Sequence, residues 1–313
     1  MSPDAILLAK AIVSLQPSSD YMKDYIFPIT LAFFSALLGG MSAIYINRKQ
    51  DLKNITKDNF VAANETFVKA HGCLNNLIAI KANYKHITFD EPLYRALAYP
   101  TMLVKKDEVI FNPSTLYFIR PIPTANKPFP QNLIWHIKHR ILNMEVPSPP
   151  PEELLYTWRN VVRISSMFGN YNQIMEFLVT RNELSQLAKE KARELGDMSE
   201  QQTLLELPKH LGRPLCGGLI DVTEQAIALT DHVIIELHKF MMEFPAIASS
   251  NIELKRIREW GGLPTYTNQQ PLFLETIKPM AKPNFERLGA YVGISEDEAR
   301  TRYTYRDWEK PAE

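Results

Sequence analysis

Histidine spacing is the first place to look for chemistry in this chain. His136 and His139 stand three apart, so on a helix they share a face and can offer two imidazole nitrogens to one metal ion. A complete site needs further ligands, and no HExxH run or cysteine pair accompanies them. His232 and His238 form a second group with Asp231 and Glu236. Their spacing spreads them around a helix, and the paired Glu-x-x-His motifs of di-iron bundles are absent. Both groups read as solvated or core histidines, and no metal or other cofactor is expected.

Nucleophile patterns are also missing. The sequence has no G-x-S-x-G elbow, and Cys73 lies on a helical stretch as a packed thiol. Cys216-Gly217-Gly218 lacks the Lys and Ser/Thr of a phosphate loop, so the glycines point to a turn or close helix packing. Residues 288–295 look like the turn of a helix-turn-helix, with Arg300, Arg302 and Arg306 behind it. Glu296, Asp297 and Glu298 would meet phosphates first, so a capped helical hairpin is preferred. Zero formal net charge and a pI near 7.1 agree, and no nucleic-acid partner is expected.

The element that would position any such site is the stretch from Tyr25 to Asn47, 23 residues without a charge. That length crosses a bilayer as a helix, whereas a core helix needs only about 10–14 apolar residues. Tyr21 and Tyr25 mark one boundary and Tyr45 the other. A cleaved signal peptide fits poorly, because the run starts late and follows an acidic-leaning segment. Lys10 and Lys23 precede the span, whereas Arg48, Lys49, Lys53 and Lys57 follow it. The positive-inside rule then puts the N-terminus outside and the large domain in the cytoplasm. Ala32, Ala36 and Gly40 repeat every four residues, as do Ser35, Gly39 and Ala43. Two readings stand for these faces: close approach of two spans, or ordinary small-residue usage in membrane helices.

The rest of the chain reads as helix divided by proline, with 22 prolines against 12 glycines. The expected fold class is mainly α: one N-terminal transmembrane helix, a stalk, and an irregular multi-helix soluble domain. The expected divisions are a short outer segment over 1–24, the span over 25–47, a helical stalk over 48–85 and a helical cytoplasmic domain over 86–313. Ser2-Pro3-Asp4 starts an apolar helix over residues 5–15, too short to span, which lies in the outer interface or docks on a partner. Val109 to Phe111 suits a short strand, but no partner strand is evident. Residues 130–144 read as a helix, and the proline run over 146–151 as an extended spacer. Helices are expected over 152–168 and 171–195, separated by Gly169-Asn170. The central helix is expected over 214–244, burying Ile220, Ile227, Ile234, Leu237 and Met241 while Asp221, Glu224 and Glu236 point away. Another helix is expected over 251–260, and Ser295 with Glu298 caps a last one reaching about Trp308.

Three segments carry a resemblance: the anchor followed by Arg48-Lys49, the stretch Asn112 to Ile119, and Tyr171 to Leu184 ending in Arg181-Asn182-Glu183-Leu184. They cover less than half the chain. On them it resembles uncharacterised bacterial single-pass inner-membrane proteins with a helical cytoplasmic domain. That resemblance implies an anchor and a helical domain, and it assigns no activity and no site. The expected function is a membrane-anchored interaction or scaffold protein, not an enzyme, partnered by the bilayer and by a second copy or another protein. The alternatives are a membrane-acting effector, as in a defence system, and an enzyme with an unrecognised site.

Overall fold

Helix is the only regular secondary structure among the described residues. The computed structural model describes residues 2–15, 22–104, 107–120, 134, 137, 138, 144, 154–196 and 199–304. The helix expected over 130–144 with its His136–His139 pair, the proline run, and the chain beyond Thr304 lie largely or wholly outside them.

Helix α1 is Pro3–Leu15, opened by a backbone bond from Ala5 to Ser2. A π-helical turn, Met22–Ile26, leads into α2, Phe27–Ala82, whose 56 residues run roughly 84 Å. The expected span and stalk are thus one uninterrupted helix. The chain divides into two compact units within it, Met1–Ile55 and Thr56–Glu313. From Thr56 onward, one face of the residues expected to form a polar stalk is core. Phe60, Ala63, Phe67, Ala70, Leu74 and Leu77 are buried at alternating steps of three and four, and Lys81 continues the stripe.

The second unit continues with α3, Pro92–Ala98, and a 3-10 turn, Pro113–Leu116, capped by the Asn112 side chain. Then come α4, Val161–Arg193; α5, Glu200–Leu211; and α6, Arg213–Asn251. A 3-10 segment, Leu254–Trp260, ends at Gly261, and α7 (Pro271–Thr276), α8 (Phe285–Val292) and α9 (Glu296–Arg302) close the unit. Helix α4 runs straight through Gly169-Asn170, where a break was expected. A mid-helix glycine costs only about 1 kcal/mol, and burial of Met167, Phe168, Tyr171 and Ile174 on both sides outweighs it. Helix α5 has no counterpart in the sequence reading, although Ser199 and Gln202 make a full capping box.

Helices α4 and α6 repeat the α2 pattern. Ile164, Met167, Tyr171, Ile174, Leu178 and Arg181 are buried along α4, and Ile220, Thr223, Ile227, Thr230, Ile234, Leu237 and Met241 along α6. Steps of three and four keep each stripe on one face over many turns. The core forms two apolar clusters. One holds Phe60 to Leu77 with the α4 stripe and Ala226 to Ala248 of α6. The other holds Leu93, Ala96, Leu219, Ile220, Leu288 and Tyr303.

The expected strand near Val109 is extended backbone paired with a side chain. Asn172 of α4 accepts from the Val109 N–H at 2.9 Å and donates to the Val109 carbonyl at 3.1 Å. Asn182, farther along α4, does the same for Met102, accepting at 3.2 Å and donating at 2.8 Å. A primary amide presents one donor and one acceptor as a neighbouring strand would, so two asparagines hold this segment without a sheet. Asn172→Ala is expected to cost about 1–3 kcal/mol for the two bonds. A lower urea midpoint and faster amide exchange at Val109 would register the loss.

Close packing explains Gly217. A Cβ there would stand 2.8 Å from the Tyr291 carbonyl oxygen, which belongs to the backbone of α8. At Gly218 the nearest atom is Leu184 Cδ1 at 3.8 Å, an ordinary contact. Gly217→Ala is therefore expected to destabilise the protein by about 1–3 kcal/mol, and Gly218→Ala to change little. Paired denaturation curves of the two variants check this.

Candidate functional site

Helix α6 carries four carboxylates on or near its core-facing side, and each is met by a cation from another element. Asp221 takes Arg302 of α9 at 3.0 Å and the Tyr303 hydroxyl at 2.6 Å. Glu224 takes Arg95 of α3 through both oxygens, at 2.6 and 3.2 Å. Asp231 lies 2.6 Å from the Lys81 ammonium of α2 and also accepts from the Met280 N–H. The same ammonium donates to the Lys278 carbonyl at 2.5 Å. Glu236 takes Arg163 of α4 at 3.3 Å, with His232 Nε2 at 3.6 Å.

The Arg95–Glu224 pair is the deepest, with side-chain exposures of 0% and 2%. It corrects the expectation that Glu224 points away from the core. Along α6, Leu219 and Ile220 belong to one apolar cluster and Ala226 and Ile227 to the other, and Glu224 falls between. On α3, Arg95 stands among Leu93 and Ala96 of the second cluster and reaches Glu224 where the two clusters meet along α6, so the pair occupies that seam. Burial pushes the Glu224 and Asp231 carboxyls upward from their ordinary values, against the pull of Arg95 on one and Lys81 on the other.

A cavity of about 330 Å3 opens along this face of α6. Glu224, Asp231, His232 and Glu236 line it with Arg95, Arg163, Ile227, Ile235 and the segment Pro279–Pro283. That size suits a small ligand. Its carboxylates are nevertheless all engaged by cations, and Arg163 also stacks on Trp158 at 3.9 Å and donates to the Tyr156 carbonyl. General acid–base catalysis needs a group free to exchange a proton with substrate, and the described carboxylates here are tied to helix-joining partners. The arrangement acts as a cross-brace.

Arg181 of α4 makes a second brace. Its guanidinium is fully buried and donates to the carbonyls of Ala96, Tyr99 and Pro100. These are carbonyls at and beyond the C-terminal end of α3, which have no helical partner of their own. Its charge also suits the negative end of that helix, and the group lies over the Tyr99 ring at 4.7 Å. Burial lowers the Arg181 pKa to about 10, so it stays charged at neutral pH.

No protein family, curated protein or solved structure matches the chain.

The residues singled out by sequence fall as follows. Ala32, Ser35, Ala36, Gly39, Gly40 and Ala43 lie exposed on α2, and a Cβ on Gly39 or Gly40 would meet nothing within 4 Å. Arg48, Lys49 and Lys53 follow on the same helix, exposed, and the Lys57 ammonium sits 4.8 Å over the Trp260 ring. His232 and His238 have different surroundings. His232 lines the cavity, whereas His238 packs between Tyr266 and Phe273 and is pushed down by burial. Among the described residues no three His, Cys, Asp or Glu side chains are grouped to hold a metal ion. Cys73 and Cys216 are both buried and form no disulfide, and burial raises the Cys216 thiol to about 11. Residues 285–302 form two short helices joined at Gly293, which is in the left-handed region with φ 87°.

The sequence assigns no bracing role to Lys81, Arg95, Asn172, Arg181 or Asn182, although Arg181 and Asn182 fall in one of the segments that carry the resemblance. The available signal was a lone cation inside an apolar run, as in Leu77-Ile-Ala-Ile-Lys81 and Leu93-Tyr-Arg95-Ala-Leu97.

Proposed function

We propose that the chain is a membrane-anchored interaction or scaffold protein. One observation carries this reading. Among the described residues a single helix, α2, is long and apolar enough to cross a membrane, and none of its most apolar window is buried. The same helix continues into the core of the second unit, where Asp221, Glu224, Asp231 and Glu236 of α6 are held by cations from other helices. In this reading the N-terminus lies outside a bacterial inner membrane, and the cations from Arg48 to Lys57 hold the second unit in the cytoplasm. The protein is expected to stay with the membrane pellet through an alkaline wash. Release into the supernatant would end the proposal.

The span also pairs with a second copy through its small-residue faces. Since no other described part of the chain lies within 4 Å of a Cβ on Gly40, the added side chain of Gly40→Leu meets a second molecule or lipid. It is expected to weaken self-association by about tenfold, roughly 1.4 kcal/mol, in detergent sedimentation. An unchanged monomer–dimer balance would remove the homo-oligomer and leave the partner to another protein. The exposed apolar α1 favours a second reading, a membrane-acting effector. Intact membrane potential during overexpression of the full chain would sink that one.

A further inference from the structure

We infer that α1 is a membrane-surface helix, lying along the leaflet on the N-terminal side of the span. The inference rests on the anchor reading and adds a second, separate lipid contact to it. Helix α1 has 13 residues, so it extends about 20 Å and cannot cross a hydrocarbon core of about 30 Å. Ile6, Leu8, Ile12 and Val13 are each between 51% and 68% exposed. At 100° per residue these four, with Ala5 and Ala9, fall on one half of the helix. Asp4, Lys10 and Ser14 fall on the other half, which they share with Leu7, Ala11 and Leu15, so every polar side chain of α1 after Pro3 lies opposite the unbroken apolar half. The Ser14 hydroxyl is already satisfied by the Ala11 carbonyl at 2.9 Å, so it adds little polarity. An apolar half-cylinder with a single cation beside its boundary suits the layer between headgroups and acyl chains.

Chain length names the occupant. Seven Cα steps separate Leu15 from Met22, so the end of α1 lies no farther than about 25 Å from the start of the helix that enters the bilayer. Within that leash the abundant apolar phase is lipid. The short connection thus delivers the apolar half to the surface whatever its direction.

Single cysteines at Leu8, Ile12, Lys10 and Leu38, each carrying a polarity-sensitive fluorophore, test this in the full chain. The protein is reconstituted in phosphatidylcholine–phosphatidylglycerol nanodiscs containing lipids brominated near the ester or near the methyl end. The native thiols, Cys73 and Cys216, are buried, and unsubstituted protein controls for their labelling. The expected result is a blue shift at Leu8→Cys and Ile12→Cys with quenching by the ester-end bromines. Lys10→Cys should report water, and Leu38→Cys should be quenched by the methyl-end bromines. Water-like emission at positions 8 and 12 with deep quenching at 38 overturns the surface helix and leaves the anchor standing. No quenching at 38 defeats the anchor, and the surface helix falls with it because the leash argument is gone.

Discussion

Arg95→Met is expected to cost about 3–5 kcal/mol of unfolding free energy at neutral pH, because it strands the Glu224 carboxylate in the seam between two apolar clusters. The loss is not the worth of the ion pair but the penalty of a buried charge without a partner. Two further results separate these. First, Arg95→Met combined with Glu224→Leu should regain most of the lost stability, since an apolar pair of similar volume carries no desolvation cost. Second, the deficit should shrink in acid. Burial already holds the Glu224 pKa above its ordinary 4.5, and removing Arg95 removes the main influence that lowers it. A carboxyl with a raised folded pKa contributes stability that is complete below the unfolded value and is lost as pH rises through the folded one. Urea midpoints taken upward from about pH 4.5 should therefore diverge between Arg95→Met and the parent. A pH-independent gap would mean that the cost comes from lost packing of the arginine stem.

Arg181→Met should lower stability by about 3 kcal/mol or more, through the opposite kind of orphan. Here three carbonyls, those of Ala96, Tyr99 and Pro100, lose their donor. Arg181→Lys keeps the charge near the C-terminal end of α3 but offers a point donor in place of a fork, so it should recover only part of the loss. Amide exchange separates this result from general loosening. Protection should fall first in Pro92–Ala98 and the chain to Met102, while the α4–α6 core holds until global unfolding. Equal loss everywhere would show that Arg181 supports the whole unit and not the end of one helix.

Local signals in the sequence were read well where a residue acts on its own neighbours. The mainly helical class, the uncharged run that becomes the exposed part of α2, the Ser295 cap and the α6 apolar stripe are all of that kind. The α2 core stripe was there too but hidden. The large apolar residues Leu52, Ile55, Phe60, Phe67, Leu74, Leu77, Ile78 and Ile80 are only loosely periodic; dropping those off the stripe and adding Ala63 and Ala70 completes the repeat. Small residues mark where helices approach most closely, so leaving them out removes half the signal. The braces were illegible for another reason. Arg95 and Glu224 are 129 residues apart, and Asn172 is 63 residues from Val109, so only the fold brings them together. A charged residue in an apolar stripe announces that a partner exists without saying which.

The braces also set an order in time. Lys81 and Arg95 leave the ribosome well before Asp231 and Glu224, with roughly 150 residues between Lys81 and its partner. At about 5–20 residues per second that is a wait of roughly 8–30 s. Through it the apolar stripe of α2 and two unmatched cations stand uncovered next to a segment already apolar enough to enter lipid. The nascent chain thus holds half a core until α6 is made. Its most vulnerable moment falls before the last third of synthesis, when a holding chaperone or the insertion machinery has the longest access to that stripe.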